Sequence, residues 1–320
     1  MLKILIAGCL ALACGLAQAQ AYPSRPVKMI VPVASGASSN DILGRVLAKS
    51  LAEGLGQAVV VENQAGATGT IGSRYVARAT PDGYTLLFGY SGAQTIAPSV
   101  LPEIGYDTVK DLAPVAMFCT VPYMMVVHPK VPVTTAKELV DYAKRNPGKL
   151  SFGSSGTGGS PHLATALFMI ETGTNLLHVP YKSAATARTD LLAGYVQMYT
   201  GGVTAFAPMV KAGKLRALMV TNSVRSIVLP DVPTAAEAGF PGVIATSWNG
   251  VLAPAKTPEA IINRLYTEVA KIANTEEMKT YLLSQGAEPA VLAPARFGEL
   301  IRVEIAQWAK VIKTANITVE

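Results

Sequence analysis

Residues 151–162 read SFGSSGTGGSPH, and the run of hydroxyls and glycines from Gly153 to Ser160 marks a loop, not a core segment, that reads either as a ligand-holding loop or as a plain strand-to-helix turn. The residues before it, Leu150 to Gly153, predict a strand. Ser160-Pro161 has the grammar of a helix start, a hydroxyl N-cap followed by proline at the first helical position. Amides at such a terminus lack intrahelical acceptors and carry the positive end of the helix dipole, and glycine lets a ligand approach the main chain. A loop of this kind suits an anion. Its candidate binding residues are Ser154, Ser155, Gly156, Thr157, Gly158 and Ser160. His162, in the first helical turn, reads equally as a donor to a ligand oxygen and as a packing residue, and the dipole favours its neutral form.

The arrangement occurs twice. VKMIVPV (27–33) predicts a strand that runs into Ala34-Ser35-Gly36-Ala37-Ser38-Ser39-Asn40-Asp41 and then a helix. Ser35, Gly36, Ala37 and Ser38 are candidate contacts. Asp41 reads first as a complement to the helix N-terminus and second as an acid or base, with no carboxylate paired to it in sequence. Ligands of open α/β sheets collect beyond the carboxyl ends of the strands. Two such loops facing each other would hold a dicarboxylate or similar small acid. A third loop, 63–72, has the same character, and a tight turn explains it at least as well.

Other chemistries lack their residues. Around Ser155 the nucleophile elbow fails because Thr157 stands where its last glycine belongs. Gly156-Thr157-Gly158 begins a dinucleotide fingerprint, but Pro161 takes the place of the final glycine. There is no Walker loop, and His128, His162 and His178 are isolated, so neither metal nor cofactor is expected. An exported hydrolase or lyase using Ser155 or His162 is the rival reading, and it lacks a paired base and acid.

The first 21 residues combine Lys3, an apolar stretch to about Leu16 and Ala17-Gln18-Ala19, the pattern of a cleaved secretory signal peptide. A lipobox reading at Cys9 leaves too few apolar residues before it. No later stretch approaches the roughly 20 apolar residues of a membrane span, so the expectation is an exported, periplasmic protein without direct membrane insertion. Cys9 and Cys14 fall in the leader, leaving Cys119 in an apolar stretch, where a buried inert thiol is expected. The formal net charge is +6, with the basic residues scattered singly. That excludes a nucleic-acid surface and allows a bias toward small anions.

Of the 320 residues half are hydrophobic, enough for two cores. From 27 to 90, strands alternate with helices over 41–55 and 70–79, which predicts an α/β fold with a parallel sheet and crossover helices. The helix from Asp41 is expected to pack through Ile42, Val46, Leu47, Leu51 and Leu55. A second alternating set runs from 123 to 221. After it come amphipathic helices over 258–274, 276–285 and 295–315, with no strands left for a third sheet. These helices are expected to cover the first half, so that the chain crosses between lobes near 118–124 and 243–252. Two crossings make a hinge and a central cleft.

The chain resembles the periplasmic solute receptors of tripartite tricarboxylate transporters, the Bug family. The resemblance rests on Tyr22-Pro23 with Arg25-Pro26, VPVASGASSND, Glu62-Asn63 with Gly66-Ala67 and Gly69, PDGYTLL from Pro81, SSGTGGSPHLA, VPYKSAATARTDLLAG and WNGVLAPAKTP, in that order from Tyr22 to the C-terminus. It implies a two-lobed, type II-like periplasmic binding protein, not an enzyme. Lobe 1 would comprise 22–122 with 242–320, and lobe 2 would comprise 123–241. The protein would catch a carboxylated solute largely through main-chain groups and water, then deliver it to membrane permease subunits. A sensor docking on a membrane kinase is an alternative destination. Position by position, the resemblance assigns Ser35 to Asp41, Ser154 to Ser160 with His162, a wall at Tyr181, Ala184 and Ala185, and a strand end at Thr200, Gly201, Gly202 and Thr204. Tyr90, Tyr181 or Trp248 would cover the solute or pack in the lobes. Ser35-Gly36-Ala37 and Ser183 depart from the family pattern. So does Thr204, which stands where many relatives carry an acid, and the departure favours a plain di- or aromatic carboxylate over an amino acid.

Overall fold

The computed structural model describes residues 22–35, 39–101, 103–181 and 183–318. The leader and the residues Gly36, Ala37 and Ser38 lie outside them, as does the side chain of Thr204. The strands are β1 (Val27–Val31), β2 (Val59–Asn63), β3 (Thr85–Tyr90), β4 (Leu112–Val127), β5 (Ser151–Ser154), β6 (Leu177–Pro180), β7 (Met198–Gly202), β8 (Arg216–Val220), β9 (Thr246–Pro254) and β10 (Glu288–Leu292). They join in the order β2-β1-β3-β9-β4-β7-β5-β6, with β8 and β10 also paired to β4.

The sixteen-residue β4 belongs to both halves. Its residues from Leu112 to Pro122 pair with β9, and Met117, Cys119 and Thr120 pair with β10. Its residues from Tyr123 to Val127 pair with β7 on one side, and Met124 to Val127 with β8 on the other. The expected parallel pairs are present as β1 with β2 and β3, and β5 with β6 and β7. The strands that join the halves, β4 and β9, are antiparallel to their neighbours.

The longer helices are α1 (Ser39–Leu55), α2 (Thr70–Ala77), α3 (Ala136–Arg145), α4 (Ser160–Thr172), α5 (Ala184–Ala193), α6 (Val203–Lys211), α7 (Glu259–Ala273), α8 (Glu276–Gln285) and α9 (Pro294–Thr314). One core joins Val27, Met29 and Val31 of β1 to Leu43, Leu47 and Leu51 of α1 and Leu265 and Val269 of α7. The α1 stripe is therefore set by Leu43, and Ile42 is 39% exposed. Leu47, Leu51 and Leu55 pack as expected, with Val46 partly buried against them, and only the first position differs, because Leu43 continues the spacing of four toward the sheet. The late helices do cover the first half. The chain nevertheless had two strands left, since β9 and β10 lie among them.

The second half packs around Met125, Val127, Leu139, Phe152, Phe168 and Met198 on one face of its sheet, and around Met124, Val126, Leu191, Tyr199 and Phe206 on the other. A smaller cluster ties the halves together, where Trp308, Val311 and Ile312 of α9 meet Leu163, Ala164 and Ala166 of α4. Cys119 is fully buried, and burial pushes its thiol pKa well up, as befits an inert packing residue. Among the described residues no helix is long and apolar enough to cross a membrane.

Candidate ligand-binding cleft

β5 runs into the glycine-hydroxyl loop, which delivers the chain to the N-terminus of α4. The N-cap is Gly159, in extended geometry, and Ser160 is the first helical residue without a side-chain cap bond. The boundary thus falls one residue earlier than the sequence suggests. Gly156 (φ 123°) and Gly158 (φ 73°) hold backbone conformations that side-chain-bearing residues rarely adopt. Much of the loop is spent on bracing itself. The fully buried Ser154 hydroxyl donates to the Gly156 carbonyl, accepts from the Gly156 amide and lies 2.7 Å from His178 Nε2. His162 is buried too, and its Nδ1 accepts the Gly158 amide at 3.0 Å. Its ring stacks on His178, so it serves the loop's shape. Ser155 and Ser160 are left to face the cleft.

On the first-lobe side a polar knot ties Ser35 and the start of α1 to the end of β2. The Arg45 guanidinium donates to Asp41 Oδ2 (3.0 Å), Ser35 Oγ (3.1 Å) and Asn63 Oδ1 (2.6 Å). The Asn63 amide donates to Asp41 Oδ1 (2.7 Å) and to the Val33 carbonyl (3.0 Å). Asp41, 1% exposed, thus clamps its loop to the end of β2. The preceding residue, Asn40, reaches the cleft and accepts from Asn249 Nδ2 at 2.9 Å. Gly66 to Gly69 make a tight turn before α2, pinned by the Tyr90 hydroxyl donating to the Thr68 carbonyl at 2.7 Å. Tyr90 itself lines the cleft.

These parts enclose about 590 Å³ between the halves. Tyr123, at the crossing in β4, and Ser247 of β9 form the back wall, and Ser284 and Gln285 close one side from the end of α8. The second half contributes Ala184 and Arg188 of α5, Tyr199, Gly201 and Gly202 of β7, and Phe206 of α6. Strand alternation decides who points inward. Tyr199 and Gly201 face the cleft, whereas the Thr200 hydroxyl accepts from Thr165 Oγ1 at 2.9 Å, against α4, and Thr200 is fully buried. Gly201 has no room for a side chain, since a Cβ there would stand 2.6 Å from the Tyr199 ring and 2.9 Å from Phe206. The Tyr181 hydroxyl donates to Asp190 at 2.8 Å, so Tyr181 buttresses α5. Ser183 caps α5 through the Thr186 amide. Trp248 is core, its indole N–H donating to Glu304 at 2.9 Å.

Among the described residues Arg188 is the sole charged side chain lining this cleft, and it makes no ion pair there. Burial pushes the Tyr199 phenol up to about 12. The nearby Ser155 hydroxyl opposes that rise, but the Tyr199 hydroxyl has no hydrogen-bonded partner by geometry. Burial likewise raises Tyr90 to about 12, so both phenols stay protonated donors near neutral pH. Tyr199 and Arg188 were legible in principle. Arg188 stands one turn after Ala184 on the same helix face, and Tyr199 stands two residues before Gly201 on the same strand face.

A larger groove of about 740 Å³ lies beside α2, away from the interlobe space. Its cations Arg25 and Lys28 are paired with Asp82 and Glu62, while Arg74 and Arg78, which also line it, make no ion pair among the described residues. The interlobe cleft is the better site because the glycine-hydroxyl loop and the first turn of α4 open on it. As for the rival chemistry, no histidine hydrogen-bonds Ser155, and the serine beside an imidazole, Ser154, is buried and committed to its own loop.

Residues 43–317 match the family model described as the tripartite tricarboxylate transporter family receptor. The chain belongs to this receptor family. The BugT protein of Bordetella pertussis is 38% identical over 296 residues, covering 92% of this chain and 90% of that protein. A solved R. palustris family member with adipate is 38% identical, with a TM-score of 0.77, covering 93% of this chain and 99% of that one. MatC from Rhodopseudomonas palustris, solved with bound malate, is 30% identical with a TM-score of 0.72, covering 91% and 100%. As a member of this receptor family the chain is a solute-binding protein, not an enzyme, with the two-lobed architecture of its relatives.

Proposed function

We propose that this receptor captures a small carboxylate in the interlobe cleft, in the periplasm after loss of residues 1–21, and hands it to the membrane permease of a tripartite tricarboxylate-type transporter. The lobes would comprise 22–122 with 242–320, and 123–241, hinged where β4 and β9 cross near Val121 and Thr246. The carrying observation is a cleft that opens on the first turn of α4 and is lined, among the described residues, by one cation, several hydroxyls and no carboxylate. An anion there meets amides without intrahelical acceptors, the favourable end of a helix dipole, and neutral donors that need not be charged. The adipate and malate held by two relatives support the same ligand class.

Thermal-shift titration with a panel of aliphatic and aromatic acids tests the reading. A bound acid raises stability as RT ln(1 + [L]/Kd), about 2.7 kcal/mol at a hundredfold excess over Kd, and is recovered chemically unchanged. A panel in which no acid shifts the melting temperature, or an acid that is turned over, overturns it.

A further inference from the structure

We infer that Arg188 sets the specificity of the cleft, its guanidinium taking one carboxylate of a dianionic ligand whose other carboxylate lies at the first turn of α4, so that dicarboxylates are selected over monocarboxylates and over amino acids. The inference rests on the cleft being the carboxylate site, and adds to it a side-chain contact that capture by amides and water does not require.

Arg188 projects from α5 one turn beyond Ala184, and both line the cleft. It is half-buried and has no carboxylate within ion-pair distance among the described residues. The acid nearest in sequence, Asp190, is engaged by the Tyr181 hydroxyl. A partly enclosed cation without a counter-ion interacts more strongly with an incoming anion than a solvated surface charge does. The planar guanidinium offers two parallel N–H donors, matched to one carboxylate.

Tyr199 supplies the second, independent observation. It is 1% exposed, faces the same space, and its hydroxyl lacks a partner. The positive charge of Arg188 is close enough to pull the Tyr199 phenol down against the effect of burial. Guanidinium and phenol O–H are thus neighbouring donors on one wall. Among the described residues no aspartate or glutamate lines the cleft. The ammonium of an amino acid would meet only Arg188, a like charge, and that repulsion discriminates as effectively as the attraction.

The test compares chain-matched acids by calorimetry on the wild-type protein, Arg188→Gln and Arg188→Lys. The probes are four- to eight-carbon dicarboxylates, the monocarboxylates of equal length, 2-aminoadipate, and terephthalate with benzoate. In wild type the best dianion is expected to bind at least about tenfold more tightly than its monoanion and more tightly than 2-aminoadipate. In Arg188→Gln that ratio falls toward one, and Arg188→Lys recovers part of it, because lysine keeps the charge without the fork. The ratio is measured within one protein, so a partly misfolded preparation leaves it unchanged. If acids bind wild type but the ratio survives in Arg188→Gln, the role of Arg188 is overturned while the carboxylate reading stands. If none of these acids binds wild type, both fall.

Discussion

The imidazole rings of His162 and His178 lie face to face, centroids 3.7 Å apart and planes 10° from parallel, behind the glycine loop. Burial and the neighbouring His178 hold His162 down to about 4, and burial also lowers His178. The native pair is therefore neutral where the unfolded chain, at an ordinary 6.5, already takes up protons. Its stabilisation is complete above pH 6.5 and is lost as pH falls toward 4. The melting temperature is expected to drop by a few degrees over that interval. His162→Gln, whose amide oxygen can still accept the Gly158 amide, should flatten the drop. A wild-type profile level between pH 6.5 and 4 would refute the assignment.

Glu304 acts with the opposite sign. Its carboxyl is 8% exposed, accepts from Trp248 Nε1 and Thr95 Oγ1, and is pushed up by burial to about 7 from 4.5. The folded state keeps a proton that the unfolded state releases. The associated stability is full below pH 4.5 and is lost as pH rises through 7. Replacing it by glutamine removes the ionisation and keeps an acceptor for the indole. Glu304→Gln should therefore gain on wild type progressively between pH 4.5 and 7, by on the order of 2 kcal/mol at the upper end in urea denaturation. Equal pH slopes for the two proteins would count against this.

Asn63→Ala removes three hydrogen bonds at once, those to Asp41, Val33 and Arg45. Leaving the buried Asp41 carboxylate short of a donor costs about 1–3 kcal/mol. The lost clamp should also weaken ligand binding by loosening the loop before α1. Denaturant midpoints and calorimetric affinities measured on one preparation test both effects, and an unchanged affinity would separate that loop from the site.

Gly201→Ala puts a methyl group where the Tyr199 and Phe206 rings already stand, 5.1 Å apart between centroids. Overpacking of this kind costs about 1–3 kcal/mol. Because it turns Tyr199 away from its present position, the variant should lose affinity out of proportion to its loss of stability. A loss of stability alone would mean that Tyr199 does not touch the ligand.

The strand-to-helix units at 27–55 and 149–172 were legible because period-two apolar runs, glycine turns and a proline at a helix start are local signals. What was not legible is what long-range pairing decides. The first half of β4 lies in a run read only as apolar, and β9 looked like a crossing because WNGVLAP has no clean alternation. Both strands are buried on both faces, where alternation fades. The same limit governed the cleft. Ser155, Ser160, Ala184 and Gly201 line it, whereas Ser154 binds Gly156 and His178 and the Gly158 amide binds His162. Arg188 and Tyr199 carry no motif, and only the meeting of α5 with β7 brings them to one wall.

One continuous ribbon, β4, serves as the middle plank of both halves. The two halves pair through different residues of that one strand, so loosening either half disturbs the edge of the other and their unfolding is coupled. The same ribbon limits how the jaws can part. Bending or twisting about the plank is cheap, whereas sliding one jaw past the other would tear the ladder on both sides.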